Sequence, residues 1–540
     1  MSTETFAGRV ASQTLRLDPA SHEKAAATMR PAVALALAAT IAAGFVLLGG
    51  GSLELSDSEA RLGLSAHEPM SAVAHVLGGY DPSVAPGAAW ITAVWTAVFD
   101  GGIPSTGSIR WPAALAAVGV GLLLFRRVAV VFGPRAGVFA ALAMTGSLAM
   151  IDRSAAMKVD LLSGLALVAA LDRLVTRGSD WVAGGLAALS VLLGGWPMLA
   201  AILVPSVLIG RKSASPSLRH LLPPIATFAA WSICAILSTR AVVWAAIVTL
   251  PLKQAESWTI GMWTIAFALP WAPLAILAAM PSFRENIDPA GRRVLTDWAK
   301  IGGVGLLAGT LMPGMASAGV MMMLAGLAVC VAPVLDRMWV GRVDSSAKRT
   351  ATILALLMGI AAGALAVYSG AYLAVAQPFY RVAGIALIGL GTLAALVALD
   401  SAWAGSPRGA VRSLFLVAVI VKVGHFGYYM PEMNYRFSKG PWGRAVGQYV
   451  PPGRPIYTFH EISPALALAT EHPVHRLREE FFLQVQPGSG PKFVLLTDAE
   501  FAHWPDLAPK IRKVRAFQDE YGGIRVLAKT EGPLVRRDVD

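Results

Sequence analysis

The feature that most constrains this chain is a succession of apolar runs fit to cross a lipid bilayer. They lie at 31–49, 112–124, 136–151, 159–175, 181–195, 197–210, 221–238, 262–280, 298–311, 315–334, 350–368, 382–400 and 411–429. A helix needs about 20 apolar residues to cover the hydrocarbon, and the shorter runs reach that length only with their flanks. Charged residues make up 14% of the 540 positions, against about a quarter in soluble domains. The pattern predicts an α-helical polytopic membrane protein with about 13 transmembrane helices between residues 31 and 430. The first run follows a polar leader of thirty residues and exceeds the roughly 7–15 residue core of a secretory signal, so it reads as a retained span.

The formal net charge of +12 would suggest a nucleic-acid partner in a soluble protein. Here the basic residues sit in short turns between apolar runs, which is a topology signal, and no nucleic-acid module is present. With residues 1–30 inside, the inner segments hold 21 Lys and Arg and the short outer segments hold 7. The positive-inside rule then places the N-terminus in the cytoplasm of a bacterial-type inner membrane. Residues 431–540 fall outside it. Cys234 and Cys330 each lie within an apolar run without metal-ligand spacing and read as small lipid- or core-facing residues.

Two outer segments are long. The first, 50–111, contains an apolar stretch at 85–99 that is too short to cross. It is expected to lie along the interface with Trp90 and Trp95 at headgroup depth. The second is the tail. Its alternating segments at 454–459, 492–497, 513–517 and 523–527 read as strands, with helices at 463–470, capped by Ser463, and from Asp498. A small α/β extracytoplasmic domain of about 100 residues follows, an ordinary size for one core. His460, His472 and His475 are spread too widely for a metal pattern.

Charges at membrane level are costly, so those on the outer side ask for a reason. Asp57, Glu59 and Arg61 follow the first span, Arg110 opens the second, and Arg153, Lys158 and Asp160 stand between later spans. A carboxylate can accept the proton of an attacking hydroxyl. Arginine and lysine can hold a phosphate leaving group as its charge develops. A divalent metal ion could share that task, since hard cations take oxygen ligands.

At these residues the chain resembles the GT-C glycosyltransferases of the aminoarabinose-transferase and protein O-mannosyltransferase type. The segment Ser58-Glu59-Ala60-Arg61 resembles that family's acidic pair in a long first outer loop, and Arg110-Trp111-Pro112 its Arg-x-Pro start to the next span. Arg126-Arg127 through Pro134-Arg135 resembles the basic inner turn, and Arg153 to Asp160 the outer Arg-x-x-Asp region. Gly195-Trp196-Pro197, Leu269-Pro270-Trp271, and the trio Asn434, Arg436 and Ser438 continue the same order. The resemblance implies transfer of a sugar from a polyprenyl-phosphate donor to a lipid, glycan or protein acceptor at the outer face. Glu59, Asp57 and Asp160 would be catalytic, and Arg61, Arg110, Arg153 and Lys158 would bind the donor phosphate. The chain departs from the family at Ser58, where the catalytic aspartate would fall, and at Ala85-Pro86-Gly87-Ala88, where a lysine is usual. The other readings are a transporter or flippase of lipid-linked substrates, and a GT-C scaffold without activity. A transporter would place charges deep within broken helices.

Overall fold

The computed structural model describes residues 29–48, 59–60, 62–64, 86–101, 106–155, 160–210, 219–239, 266, 268–312, 315–460, 462–477, 483, 490–506, 508–519 and 521–531. Asp57, Ser58, Arg61, Ala85 and Lys158 lie outside this set, so the expectations placed on them are not met by any coordinates described below.

Helices dominate up to residue 447. In chain order they are α1 Pro31–Leu47, α2 Pro86–Phe99, α3 Thr106–Phe132, α4 Pro134–Thr145, α5 Leu148–Ala155, α6 Asp160–Val175, α7 Asp180–Gly194, α8 Trp196–Gly210 and α9 Leu222–Thr239. They continue with α10 Ala275–Ala279, α11 Pro281–Glu285, α12 Pro289–Leu311, α13 Ala316–Val340, α14 Ser345–Ala376, α15 Arg381–Trp403, α16 Pro407–Gly424, α17 Met430–Phe437 and α18 Gly440–Gly447. Hydrocarbon offers no water to bond an open peptide group, which is why the apolar runs take this form. Among the described residues, five helices are long and apolar enough to cross a membrane by themselves. The chain is an integral membrane protein.

The helices overrun the apolar runs. The run at 112–124 becomes α3, which starts at Thr106 and carries Arg126 and Arg127 on its last turns. Long cationic side chains let a helix continue past the apolar stretch while their charges reach water. One expected span differs in kind. Within 262–280 the chain turns at 268–271, makes a single 3-10 turn at Ala272–Leu274, and resumes as the short α10. Pro270 and Pro273 both lack the N–H that a continuous helix would use, and apolar content alone conceals this. The interruption does not expose Trp271, which is fully buried in the main core.

Contacts fix the relative direction of three of the helices, α3, α6 and α13. Gly119 of α3 faces Leu165 of α6, and further along the same pair Arg127 meets Asp172 at 3.3 Å, so these helices run parallel. Gly164 faces Met321 of α13, which sets α13 alongside α6 in the same sense. Arg135 at the start of α4 pairs with Asp336 near the end of α13 at 2.5 Å. All the residues Arg127, Asp172, Arg135 and Asp336 therefore gather at one end of the bundle. Arg110, Asp160 and Ser317 belong to the other end.

The tail forms a five-stranded sheet in the order β2-β1-β3-β5-β4, with β1 Ile456–Thr458, β2 Val474–Arg476, β3 Phe493–Thr497, β4 Ile511–Gln518 and β5 Ile524–Thr530. Strand β1 pairs in parallel with β2 and β3, while β5 is antiparallel to β3 and β4. Two short helices, α19 Pro464–Ala469 and α20 Asp498–Ala502, complete it. Strand β2, three residues with no buried position, gave no alternation to read. Ser463 stands at the N-cap of α19 without capping it. Its hydroxyl accepts a hydrogen bond from Lys439 Nζ at 3.0 Å instead. Thr497 and Glu500 form a full capping box on α20.

Close approach of α12 and α13 rests on glycine. A Cβ on Gly326 would stand 2.5 Å from the Trp298 carbonyl oxygen and 2.7 Å from the Gly302 Cα, whereas Gly303 has open space beside it. Gly326→Ala should therefore lower the melting temperature of the detergent-purified protein. Gly303→Ala should leave it unchanged or raise it slightly, because alanine is favoured over glycine in a helix by about 1 kcal/mol.

Candidate active site

The end of the bundle opposite the basic turns holds Glu59, Arg110, Arg153 and Asp160. Glu59 begins a short helical stretch after the first span, and Arg110 lies in the second turn of α3. Arg110 Nε donates to Glu59 Oε1 at 2.7 Å, and its Nη2 donates to Glu59 Oε2 at 3.3 Å. Both side chains are 2% exposed or less. A forked pair of this kind uses the planar geometry of the guanidinium and ties the first outer loop to α3. Its surroundings are apolar: Leu62, Ala88, Ala89 and Ile109 form a small cluster, with Leu468 of α19 packed against it. Leu468 of the tail thus rests on the cluster beside this pair, and a Cβ on Gly63 would collide with Ile109 and press on Leu468.

A second constellation sits on α5, α6 and α13. Arg153 Nη1 donates to Asp160 Oδ2 at 2.7 Å and to Ser317 Oγ at 3.3 Å. The Ser317 hydroxyl donates to the same Asp160 oxygen at 2.5 Å. The Asp160 side chain is 29% exposed and that of Arg153 13%, so this group is reachable where the first is sealed. Asp160 opens α6, where a carboxylate is favoured by the helix dipole. The order Ser190 to Ser163 to Asp160 continues inward, through hydroxyls donating to backbone carbonyls at 3.0 Å each.

The structure therefore joins Glu59 to Arg110 and Asp160 to Arg153, and brings both pairs to one end of the bundle. Asp57, Arg61 and Lys158 lie outside the described residues. Three residues escaped the sequence reading. Ser317 is one hydroxyl among many and gave no signal. Lys422 and His425 did give one, as ionisable residues within the run 411–429, and both side chains are less than a tenth exposed. His425 Nε2 lies 3.4 Å from Asp152 Oδ1, which brings the last helix of the bundle to α5.

Among the described residues no three His, Cys, Asp or Glu side chains converge as metal ligands. Glu59 is engaged by Arg110 and Asp160 by Arg153 and Ser317, so this donor set does not fit a divalent ion. In the tail, His460 instead joins a charge network. Its Nδ1 lies 3.1 Å from Glu500 Oε2 and its Nε2 3.0 Å from Arg525 Nη1. Burial pushes the His460 pKa down from its usual value; Glu500 opposes that shift and Arg525 adds to it. In the window between the depressed folded value and the ordinary one near 6.5, the unfolded chain binds more protons, so stability falls as pH falls through it.

A model of the dolichyl-phosphate-mannose-protein mannosyltransferase family matches residues 83–244, which include Arg110, Asp152, Arg153 and Asp160. No curated protein sequence matches the chain significantly. The crystal structure of ArnT from Cupriavidus metallidurans bound to undecaprenyl phosphate superposes with a TM-score of 0.66 at 15% identity, over 92% of this chain and 97% of that one. The apo crystal structure of the same protein gives 0.63 at 16% identity with the same coverage.

Two outcomes test this geometry. Breaking a buried pair costs about 3–5 kcal/mol because the remaining charge is stranded. Arg110→Met should therefore lower the melting temperature of the purified protein strongly, and adding Glu59→Gln should recover part of the loss. Hydrogen-exchange protection of β1 and β3 in the full chain should drop between about pH 7 and pH 5.5, and His460→Gln should flatten that dependence. The chain thus shares the fold of ArnT, and its residues 83–244 match the sequence model of the dolichyl-phosphate-mannose-protein mannosyltransferases, both in line with the resemblance that its motifs implied.

Proposed function

We propose that this protein is a membrane glycosyltransferase. It moves a sugar from a polyprenyl-phosphate donor to a lipid, glycan or protein acceptor at the outer face of the cytoplasmic membrane. About thirteen crossings leave residues 1–30 in the cytoplasm and the domain 431–540 outside. The observation that carries this reading is the segregation of charge. Glu59 with Arg110 and Asp160 with Arg153 lie at the end of the bundle on which Leu468 of the tail rests, and the basic turns at 126–135 and 337–342 lie at the other. Undecaprenyl phosphate bound to a protein of the same fold supports the donor class.

In the step so written, an acceptor oxygen forms a bond to the anomeric carbon and the bond from that carbon to the phosphate oxygen breaks. The electron pair leaves with polyprenyl phosphate, and the acceptor proton passes to a carboxylate. Arg153, with Arg61 and Lys158, steadies the phosphate as its charge grows. Glu59 is committed to Arg110, whose part is to hold the loop in place. Asp57 is then the loop carboxylate that takes the proton, and Asp160 keeps Arg153 turned toward the phosphate.

The purified chain in lipid nanodiscs, given labelled undecaprenyl-phosphate sugar and a membrane-lipid extract as acceptor source, should release undecaprenyl phosphate. Asp57→Asn should lower kcat by about a hundredfold or more, the range expected for a positioned base. Arg153→Met should weaken undecaprenyl-phosphate binding. Full turnover in the double variant Asp57→Asn, Glu59→Gln would remove these carboxylates from the chemistry, and movement of the intact donor across the bilayer without transfer would mark a flippase.

A further inference from the structure

At the end of the bundle with the basic turns, some cations are neutralised and others are not. Arg127 pairs with Asp172 and Arg135 with Asp336, while Arg337 donates to the backbone carbonyls of Phe283 and Asn286. Lys348, Arg408 and Arg412 are exposed, and among the described residues none of the three has an ion pair. Of the carboxylates on the same helix ends, Asp344 accepts a hydrogen bond from Ser346, and Asp400 lies on the last turn of α15. The fold gathers these cations from two helices onto the end of a third. Arg408 Nε donates to the Trp339 carbonyl oxygen at 2.6 Å, and the Arg412 guanidinium stands over the Trp339 ring, 5.8 Å from its centroid. Lys348 lies against the turn from α15 to α16, where a Cβ on Gly405, three residues before Arg408, would stand 3.8 Å from its Nζ.

Like charges held around one turn repel, and an anion placed among them relieves that repulsion. The neighbouring surface says which kind of anion. On α14 and α15, Ile353, Leu357 and Leu399 are turned outward beside this patch, and Trp403 at the end of α15 is 96% exposed. In a bilayer the aliphatic side chains face acyl chains, and an outward indole at a helix end lies at headgroup depth. The cations are then level with lipid phosphates, which an arginine fork and an ammonium group both suit. A free phosphate would meet the same cations and leave the indole and its apolar neighbours uncovered. We propose that Lys348, Arg408 and Arg412 form a binding site for an anionic phospholipid head group, with Trp403 against the start of its acyl chains. The lipid belongs to the leaflet at this end, the cytoplasmic one in the topology proposed above. The site stands apart from the transfer chemistry and does not depend on it.

The test uses the purified full chain in a neutral detergent with four probes: dioleoyl phosphatidylglycerol, tetraoleoyl cardiolipin, dioleoyl phosphatidylcholine and inorganic phosphate. In native mass spectrometry the two anionic lipids should stay bound at collision energies that strip phosphatidylcholine, and only they should raise the melting temperature. Lys348→Gln combined with Arg408→Gln and Arg412→Gln should weaken binding of the anionic lipids by about tenfold or more. Arg292→Gln with Arg293→Gln removes two exposed cations from the start of α12 and should leave that binding unchanged. Equal retention of all three lipids by the unmodified chain overturns the inference, whether or not the triple variant can be purified. Unchanged binding in the triple variant, or an equal loss in the Arg292 and Arg293 variant, overturns it as well. A rise in melting temperature with inorganic phosphate equal to that with phosphatidylglycerol would mark a site for free anions and overturn the lipid assignment.

Discussion

A peptide group in hydrocarbon has no solvent partner, and that single constraint organises this molecule. It favours helices along the apolar runs and gathers most of the ion pairs at the two ends. It also makes each charge held near membrane depth an investment that must be balanced locally. The Glu59–Arg110 pair meets this condition with two hydrogen bonds inside an apolar cluster, and the Asp160 carboxylate with a guanidinium and a hydroxyl. Polarity at that end of the bundle is thus held in a few satisfied groups separated by packed helix. Small residues make the packing between the helices possible, as where Gly305 and Gly319 bring α12 and α13 into backbone contact.

Much of this was legible in sequence because the bilayer imposes a simple code. Length and hydropathy located the helices. Within 262–280 the code misled, since proline at 270 and 273 is as apolar as its neighbours and breaks a helix without changing the count of apolar residues. Ends of helices were also misjudged. Arg126 and Arg127 look like a loop by charge and are helical in fact, because their stems are apolar and their heads can reach water.

The site was legible by residue type and only partly by partnership. Arginine and carboxylate in the outer segments could be named, and the pairing of Arg153 with Asp160 is local enough to guess. The pairing of Glu59 with Arg110 spans 51 residues, and that of Asp152 with His425 spans 273. Such pairs follow from how the helices stack, which no local pattern encodes. Ser317 shows the limit most plainly: a hydroxyl becomes informative only when a carboxylate is found against it. In the tail, strand β2 failed for the opposite reason, having too few residues and no buried face.

The contact beside the first ion pair has a bearing on how the protein is made. Leu468 comes from the last quarter of the chain and rests on a cluster built from residues 62 to 109. His425 likewise reaches back to a helix finished long before it is synthesised. A ribosome inserting these helices in order would leave that end of the bundle unfinished until Leu468 had been made. Partial chains therefore lack both the contact of Leu468 and the contact of His425 at that end.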